Sequence, residues 1–274
     1  MTVRHLGVIG IGAIAKMLLL ELAKSNDAAQ PGLTVLCRPE RCDTVRDWLA
    51  VNWPGRANVA VSAAELAAST PDFVVECAGQ AALAEYVPDI LAAGIETAIV
   101  SVGALADLHL FDAVRQAAAR GGTRAVIAPG AVGGLDALSA YRLAGLDKVV
   151  YSGRKPPVAW KGSVDPDAVD LDALTAPQVI FEGDARQAAL NFPKNANVAA
   201  TIALAGNGFE KTAVKLIADP GIELNIHEIE AFSAIGRLRF SIEGRSLPGQ
   251  PRTSATTAFS ALREILNRSS HISI

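Results

Sequence analysis

Hydrophobic and polar positions follow two different patterns along this chain, and the change from one to the other divides it. In the first half, short apolar runs read as buried strands: HLGVIGI, LTVLC, NVAVS, DFVVECAG, ETAIVSVGAL and TRAVIAPGAVGG. Between them lie segments rich in helix formers: AIAKMLLLELAKS, ERCDTVRDWLAVN, AAELAAS, ALAEYVPDILAAG and LHLFDAVRQAAARGG. The fourth carries a proline expected to begin a second segment, and the last is closed by glycines. Repeated strand–helix–strand units with apolar strands predict a parallel sheet covered on both faces.

From about residue 145 the strands become more polar. DKVVYSGRKPPVAW, PQVIFEGD, KTAVKLIADP, IELNIHEIEAF and RLRFSIEG are strand-like, and DARQAALNFPKNANVAATIALAG is the strongly helical stretch among them. That mixture predicts a mostly antiparallel sheet with one face covered. The final TSATTAFSALREILNRSS reads as a capped helix that docks back on the first domain. The fold class is therefore α/β: a Rossmann-type parallel-sheet domain plus an α+β catalytic domain with a mostly antiparallel sheet. The expected borders are 1–131 with 245–274 returning to it, and 132–244 for the second domain.

The 274 residues suffice for two cores, and with 50% hydrophobic and 19% charged residues the composition is that of a globular protein. A net charge of −3 offers no footprint for nucleic acid or an anionic membrane surface, so a charged substrate must be met by local groups. No uninterrupted apolar run reaches the roughly 18 residues that would span a bilayer. The apolar N-terminus is broken by glycines and followed by Glu21, unlike a signal peptide. Cys37, Cys42 and Cys77 match no metal-ligand spacing and no disulfide framework, which makes a reducing cytoplasm the expected setting.

GVIGIGAIA contains Gly10, Gly12 and Ala15 in the G-x-G-x-x-A form of the dinucleotide fingerprint. Gly10 permits the tight turn, Gly12 lets the backbone approach a pyrophosphate, and Ala15 lets helix and strand pack closely. The motif follows a strand and opens a helix, the context in which it carries meaning. At the tip of the second strand, VLCRPER offers no acid for the ribose hydroxyls but brings Arg38 and Arg41. Guanidinium groups suit a 2′-phosphate, so the cofactor is NAD or NADP, with NADP expected to be accepted at least as readily. Solvated surface arginines are the alternative.

In the second half, Lys194, Asn197 and Thr201 are spaced to share one helix face near its start, where anions are favoured. They can hold a carboxylate, with Lys194 the candidate ligand, or simply cap the helix. Gly130, Gly133 and Gly134 of APGAVGGLDAL let backbone come close to a ligand, with Gly133 the substrate candidate, or form a connecting loop. His227 of LNIHEIEAFSAIG shares a strand face with Asn225, Ile229 and Ala231. It is either a hydrogen-bonded core residue or a chemical group aimed at a substrate. No Ser/His/Asp order and no HExxH spacing appears, so no metal is expected.

Taken together, GIGAIA, VVECAGQ, IVSVGAL, APGAVGGLDAL, SGRKPP, FPKNANVAATIALAG, LIADP, NIHEIEAFSAIG and PRTSATTAFSAL resemble the L-aspartate dehydrogenase family nearly end to end. The resemblance implies that Ala131 and Asn197 contact the nicotinamide and that His227 is the catalytic acid/base. It implies oxidation of L-aspartate to iminoaspartate, which water converts to oxaloacetate and ammonia, feeding NAD biosynthesis. Ala15 and the missing acid after the second strand depart from many relatives and bear on cofactor preference. A homoserine-type dehydrogenase or dihydrodipicolinate-type reductase is the neighbouring alternative, although the histidine-pair and lysine signature of the latter is absent. A non-catalytic NAD(P)-binding redox sensor is the alternative of another class. A homodimer is expected from an open sheet face, with no nucleic-acid or membrane partner.

Overall fold

The computed structural model describes residues 3–24, 30–193 and 197–272. The chain divides into two compact units, Met1–Ala128 with Thr257–Ile274, and Pro129–Thr256.

In the first unit, β1 (His5–Ile9), β2 (Gly32–Leu36), β3 (Ala57–Ala60), β4 (Phe73–Glu76), β5 (Thr97–Ile99) and β6 (Ala125–Ile127) pair in parallel in the order β3-β2-β1-β4-β5-β6. The connecting helices are α1 (Ala13–Lys24), α2 (Cys42–Asn52), α3 (Ala63–Ala68), α4 (Gln80–Ala92) and α5 (Leu108–Arg120). Leu6, Val8, Leu33, Val35, Phe73 and Val75 are buried, as strands covered on both faces require. Strand order reverses beside β1, which opens a crevice at the carboxyl ends of β1 and β4.

Two expectations need correction here. Pro88 does not begin a second segment, because α4 runs through it unbroken. Leu83 and Val87 before it and Ile90 and Leu91 after it are all buried, and that packing outweighs the lost backbone bond. The strand read from ETAIVSVGAL stops at Ile99, and Val102–Ala106 turns tightly instead. Ser101 donates from both its backbone N–H and its hydroxyl to Glu76, which diverts the chain from the sheet.

The C-terminal helix α9 (Ala255–Ser269) adds Ala261, Leu262 and Ile265 to the first core. Its far end is held by Arg268, which lies 3.6 Å from the centre of the Phe73 ring and pairs with Glu96 at 2.5 Å. The backbone N–H of Val3 donates to Ser269 Oγ at 3.2 Å.

In the second unit, β7 (Leu146–Lys155), β8 (Gln178–Asp184), β9 (Thr212–Ala218), β10 (Asn225–Ser233) and β11 (Gly236–Gly244) form one sheet in the order β11-β10-β7-β9-β8. The β7–β9 pair is parallel and the other neighbours are antiparallel. α6 (Leu135–Ala144), α7 (Ala185–Asn191) and α8 (Asn197–Ala205) complete the unit. Leu138 of α6 and Val149 of β7 both meet at Gly206, just past α8, so these helices lie over the face that carries Val149. Along β10 the side chains alternate as period two demands: Asn225, His227, Ile229 and Ala231 are buried, and Glu228 between them is exposed.

The unit borders fall at 128/129 and 256/257 rather than 131/132 and 244/245. Gly133 and Gly134 pack under Phe240 of β11, which keeps that loop with the second unit. The hairpin of β12 (Ser246–Leu247) and β13 (Gln250–Ser254) stays there too, because Asn225 Nδ2 donates to Ser246 Oγ at 3.2 Å.

Candidate active site

The glycine turn of the first unit is built for close approach. Gly10 has φ of +88°, and a Cβ there would stand 2.6 Å from the Cβ of Ala78, so only glycine fits. At Gly12 the nearest neighbour of such a Cβ is the Cys77 carbonyl oxygen at 3.9 Å, so the absent side chain leaves open space beside the backbone. Ala15, in the first turn of α1, is fully buried, and a larger residue there would push the helix from the sheet. The Lys16 N–H closes on the Gly12 carbonyl at 2.9 Å as the first bond of the helix, so the N–H groups at the start of α1 have no partner within it.

A cavity of about 390 Å³ opens there, lined by Gly10, Gly12, Cys37, Arg38, Arg41 and Tyr86 among others. Gly10, Gly12 and Arg38 thus come together, with Ala15 supporting them. Arg38 is largely exposed and its Nε lies 3.2 Å from Glu40, an acid within VLCRPER that the sequence reading passed over. The residues present fit a dinucleotide: a cradle without side chains, a helix start for phosphates, and two cations at the strand tip.

Glu76 escaped the sequence reading. It is fully buried at the tip of β4 and accepts hydrogen bonds from Ala78 N at 2.8 Å, Gly79 N at 2.9 Å, Ser101 N at 3.0 Å and Ser101 Oγ at 2.9 Å. Burial still pushes its carboxyl pKa up, against the pull of those donors. It fixes the loop that carries Ala78, the residue against which Gly10 is closed. The available signal was an acid ending an otherwise apolar strand.

In the second unit, His227 faces Gly153 across the β10–β7 ladder. Its Nδ1 lies 2.8 Å from the Tyr151 hydroxyl, and both residues are buried. Lys155, on the same face of β7, is 5% exposed, with its Nζ 5.3 Å from the centre of the Trp160 ring. Among the described residues no carboxylate pairs with it, and burial lowers its pKa to about 8. Burial, and then the Lys155 charge, lowers the pKa of His227 to about 3. His227 is therefore a neutral imidazole in the free protein and not a base poised near neutrality. Lys155 and Tyr151 were missed because neither lies near His227 in the chain.

Four other expected residues remain: Lys194, Asn197, Gly133 and Ala131. Lys194 is outside the described residues. Asn197 opens α8, and its carbonyl accepts from Thr201 Oγ1 at 3.0 Å, so that hydroxyl is spent within the helix and is buried. Gly133 is closed by protein: a Cβ there would sit 2.8 Å from Phe240 Cζ, so packing accounts for the glycine. Ala131 is buried near the start of the second unit. Among the described residues no cluster of His, Cys, Asp and Glu is disposed for a metal, and no helix is long and apolar enough to cross a membrane.

Comparison with known proteins finds relatives for both halves of the chain. Residues 10–128 match the homoserine dehydrogenase NAD-binding domain model, and residues 136–268 match the C-terminal domain model of aspartate dehydrogenase. A curated L-aspartate dehydrogenase of Ralstonia nicotianae is 46% identical over 273 residues, covering 98% of this chain and 99% of that protein. One from Polaromonas sp. is 45% identical over 264 residues, covering 96% and 97%. The crystal structure of aspartate dehydrogenase from Thermotoga maritima aligns with a TM-score of 0.74 at 29% identity, over 99% of each chain. A myo-inositol dehydrogenase from Corynebacterium glutamicum, at 12% identity and a TM-score of 0.51, shares the fold alone, across 97% of this chain and 87% of that one.

Proposed function

The chain belongs to the L-aspartate dehydrogenase family of NAD(P)-dependent oxidoreductases, and from that premise we propose that it oxidises L-aspartate to iminoaspartate, which water turns into oxaloacetate and ammonia. Gly10, Gly12 and Ala15 would receive the cofactor pyrophosphate at the start of α1, with Arg38 near a 2′-phosphate. Ala131 and Asn197 would meet the nicotinamide. When bound, the cofactor accepts the hydride that leaves Cα.

The protein's own groups do the rest. Lys155 holds one substrate carboxylate, and Lys194 and the backbone at Gly133 remain weaker candidates for the other. The substrate reacts through the fraction whose α-amine is neutral, because the nitrogen lone pair must push the hydride out. His227 is the catalytic residue at Cα. As a neutral imidazole it hydrogen-bonds the oxygen that water delivers to the imine carbon, as neutral imidazoles do at other polarised carbonyls.

One observation carries this reading: a buried cation lacking a carboxylate partner among the described residues shares a sheet face with a buried histidine. The test is the near-ultraviolet absorbance of reduced nicotinamide with L-aspartate, and with oxaloacetate plus ammonia in reverse. L-alanine, lacking the second carboxylate, is expected to be far poorer. Equal rates with alanine, or activity on homoserine without aspartate, would overturn it.

Delivery of iminoaspartate to NAD biosynthesis belongs to the same proposal, as does a cytoplasmic setting, in keeping with three free thiols. So does a homodimer through the open face of the second sheet, where Val150, Ile226 and Phe232 are only half-buried.

A further inference from the structure

We propose that Tyr151 is a positioning residue which fixes the tautomer of His227, so that the imidazole presents Nε2–H as a hydrogen-bond donor toward a substrate oxygen. This rests on the reading of His227 as the catalytic histidine. The geometry begins with a gap in the sheet. On the covered face of β7, Tyr151, Gly153 and Lys155 follow one another, and Gly153 stands opposite His227. A Cβ at Gly153 would lie 2.5 Å from the Tyr151 hydroxyl oxygen, so that oxygen occupies the space a side chain would take. Through that gap the phenol reaches His227 Nδ1 at 2.8 Å, with the two rings inclined by 18°.

The direction of the bond follows from the partners available. Tyr151 is fully buried, and among the described residues its hydroxyl makes no hydrogen bond other than that with His227 Nδ1. A buried hydroxyl can do without a second donor to its oxygen, but an unpaired O–H is costly. If Nδ1 carried the proton and donated it, the phenol hydrogen would have no acceptor. If the phenol donates, both atoms are satisfied and Nδ1 is left without a proton, while Nε2 is not among the described side-chain atoms shut off from both solvent and a partner. The neutral ring must then carry its hydrogen on Nε2. Burial pushes the phenol pKa up, so Tyr151 keeps the proton it donates throughout the working range.

Such a ring is an electrophilic partner, not a proton acceptor. It suits the keto oxygen of oxaloacetate, or the same oxygen as it forms when the imine is hydrolysed. Tyr151 would touch neither substrate nor cofactor and would act only through His227.

The test combines Tyr151→Phe, which keeps the ring and deletes the donor, with nitrogen-15 NMR of the His227 imidazole. The wild-type protein should show the Nε2–H tautomer at neutral pH, and Tyr151→Phe should give a mixture of tautomers. Turnover of oxaloacetate with ammonia should fall on the order of tenfold with little change in KM, the scale of one lost orienting hydrogen bond. In a His227→Ala background the same change should cost nothing further. An Nδ1–H tautomer in the wild type, or an unchanged spectrum and rate in Tyr151→Phe, would overturn the proposal. A fully active His227→Ala would sink the catalytic reading of the histidine instead, while the wild-type spectrum still reports on the hold of Tyr151.

Discussion

Lys155→Met should make the protein more stable and a worse binder of dicarboxylates at once. Methionine keeps most of the length and volume of lysine while removing the charge. In the folded chain burial lowers the Lys155 pKa from 10.5 to about 8, so the folded state holds that proton less tightly than the unfolded chain does. For a base with a depressed folded pKa, the stability penalty is complete below the folded value. It fades as pH rises from about 8 to 10.5 and is gone above. At 1.36 kcal/mol per unit, the charge costs about 3 kcal/mol at neutral pH. The attraction of the Trp160 ring for the cation offsets some of this, leaving a net gain of about 2–3 kcal/mol for the methionine variant. Urea denaturation should therefore show the variant more stable at pH 7, with the difference shrinking as pH rises toward 10.5. Binding should move the other way. A charge-assisted bond to a carboxylate contributes about 1.5–3 kcal/mol, so inhibition by succinate should weaken roughly tenfold to a hundredfold. In the wild type, succinate inhibition should weaken as pH rises above about 8, where the free lysine loses its proton. A variant that is no more stable at neutral pH, yet binds succinate normally, would refute both halves of the reasoning.

His227→Ala should leave folding and cofactor binding intact while turnover falls roughly a hundredfold or more, measured against the circular-dichroism melting curve; loss of fold with normal activity per folded molecule would make His227 a core residue. Arg38→Ala should weaken NADP by about threefold to tenfold and scarcely touch NAD in fluorescence titration, the gain being limited because Arg38 is exposed and already meets Glu40 at 3.2 Å. Equal loss for both cofactors would mean that Arg38 supports the adenosine and not a 2′-phosphate. Gly153→Ala should displace the Tyr151 hydroxyl, which stands 2.5 Å from the added carbon, and lower turnover more than cofactor affinity; steady-state kinetics beside cofactor titration checks this, and unchanged turnover would show that the phenol position is immaterial.

What the sequence determined by itself is what depends on near neighbours. Alternation along LNIHEIEAFSAIG placed Asn225, His227, Ile229 and Ala231 on one face, and that face is the buried one. The order strand, glycine turn, helix at Gly10, Gly12 and Ala15 announced the parallel sheet and its phosphate-binding turn, because both follow from backbone geometry within a few residues. The tertiary structure decided everything that rests on distant pairing. Lys155 and Tyr151 reach the surroundings of His227 only through the β7–β10 register, and 76 residues separate Tyr151 from its partner. Gly133 is glycine because Phe240, from another strand, fills the space above it, while Gly12 is glycine with that space left open. Nothing local distinguishes the two. Pro88 passes through a helix because buried residues on both sides hold it. A proton's affinity for His227 or Lys155 depends in the same way on how much water the folded chain removes and which charges it brings near, and no stretch of sequence carries that by itself.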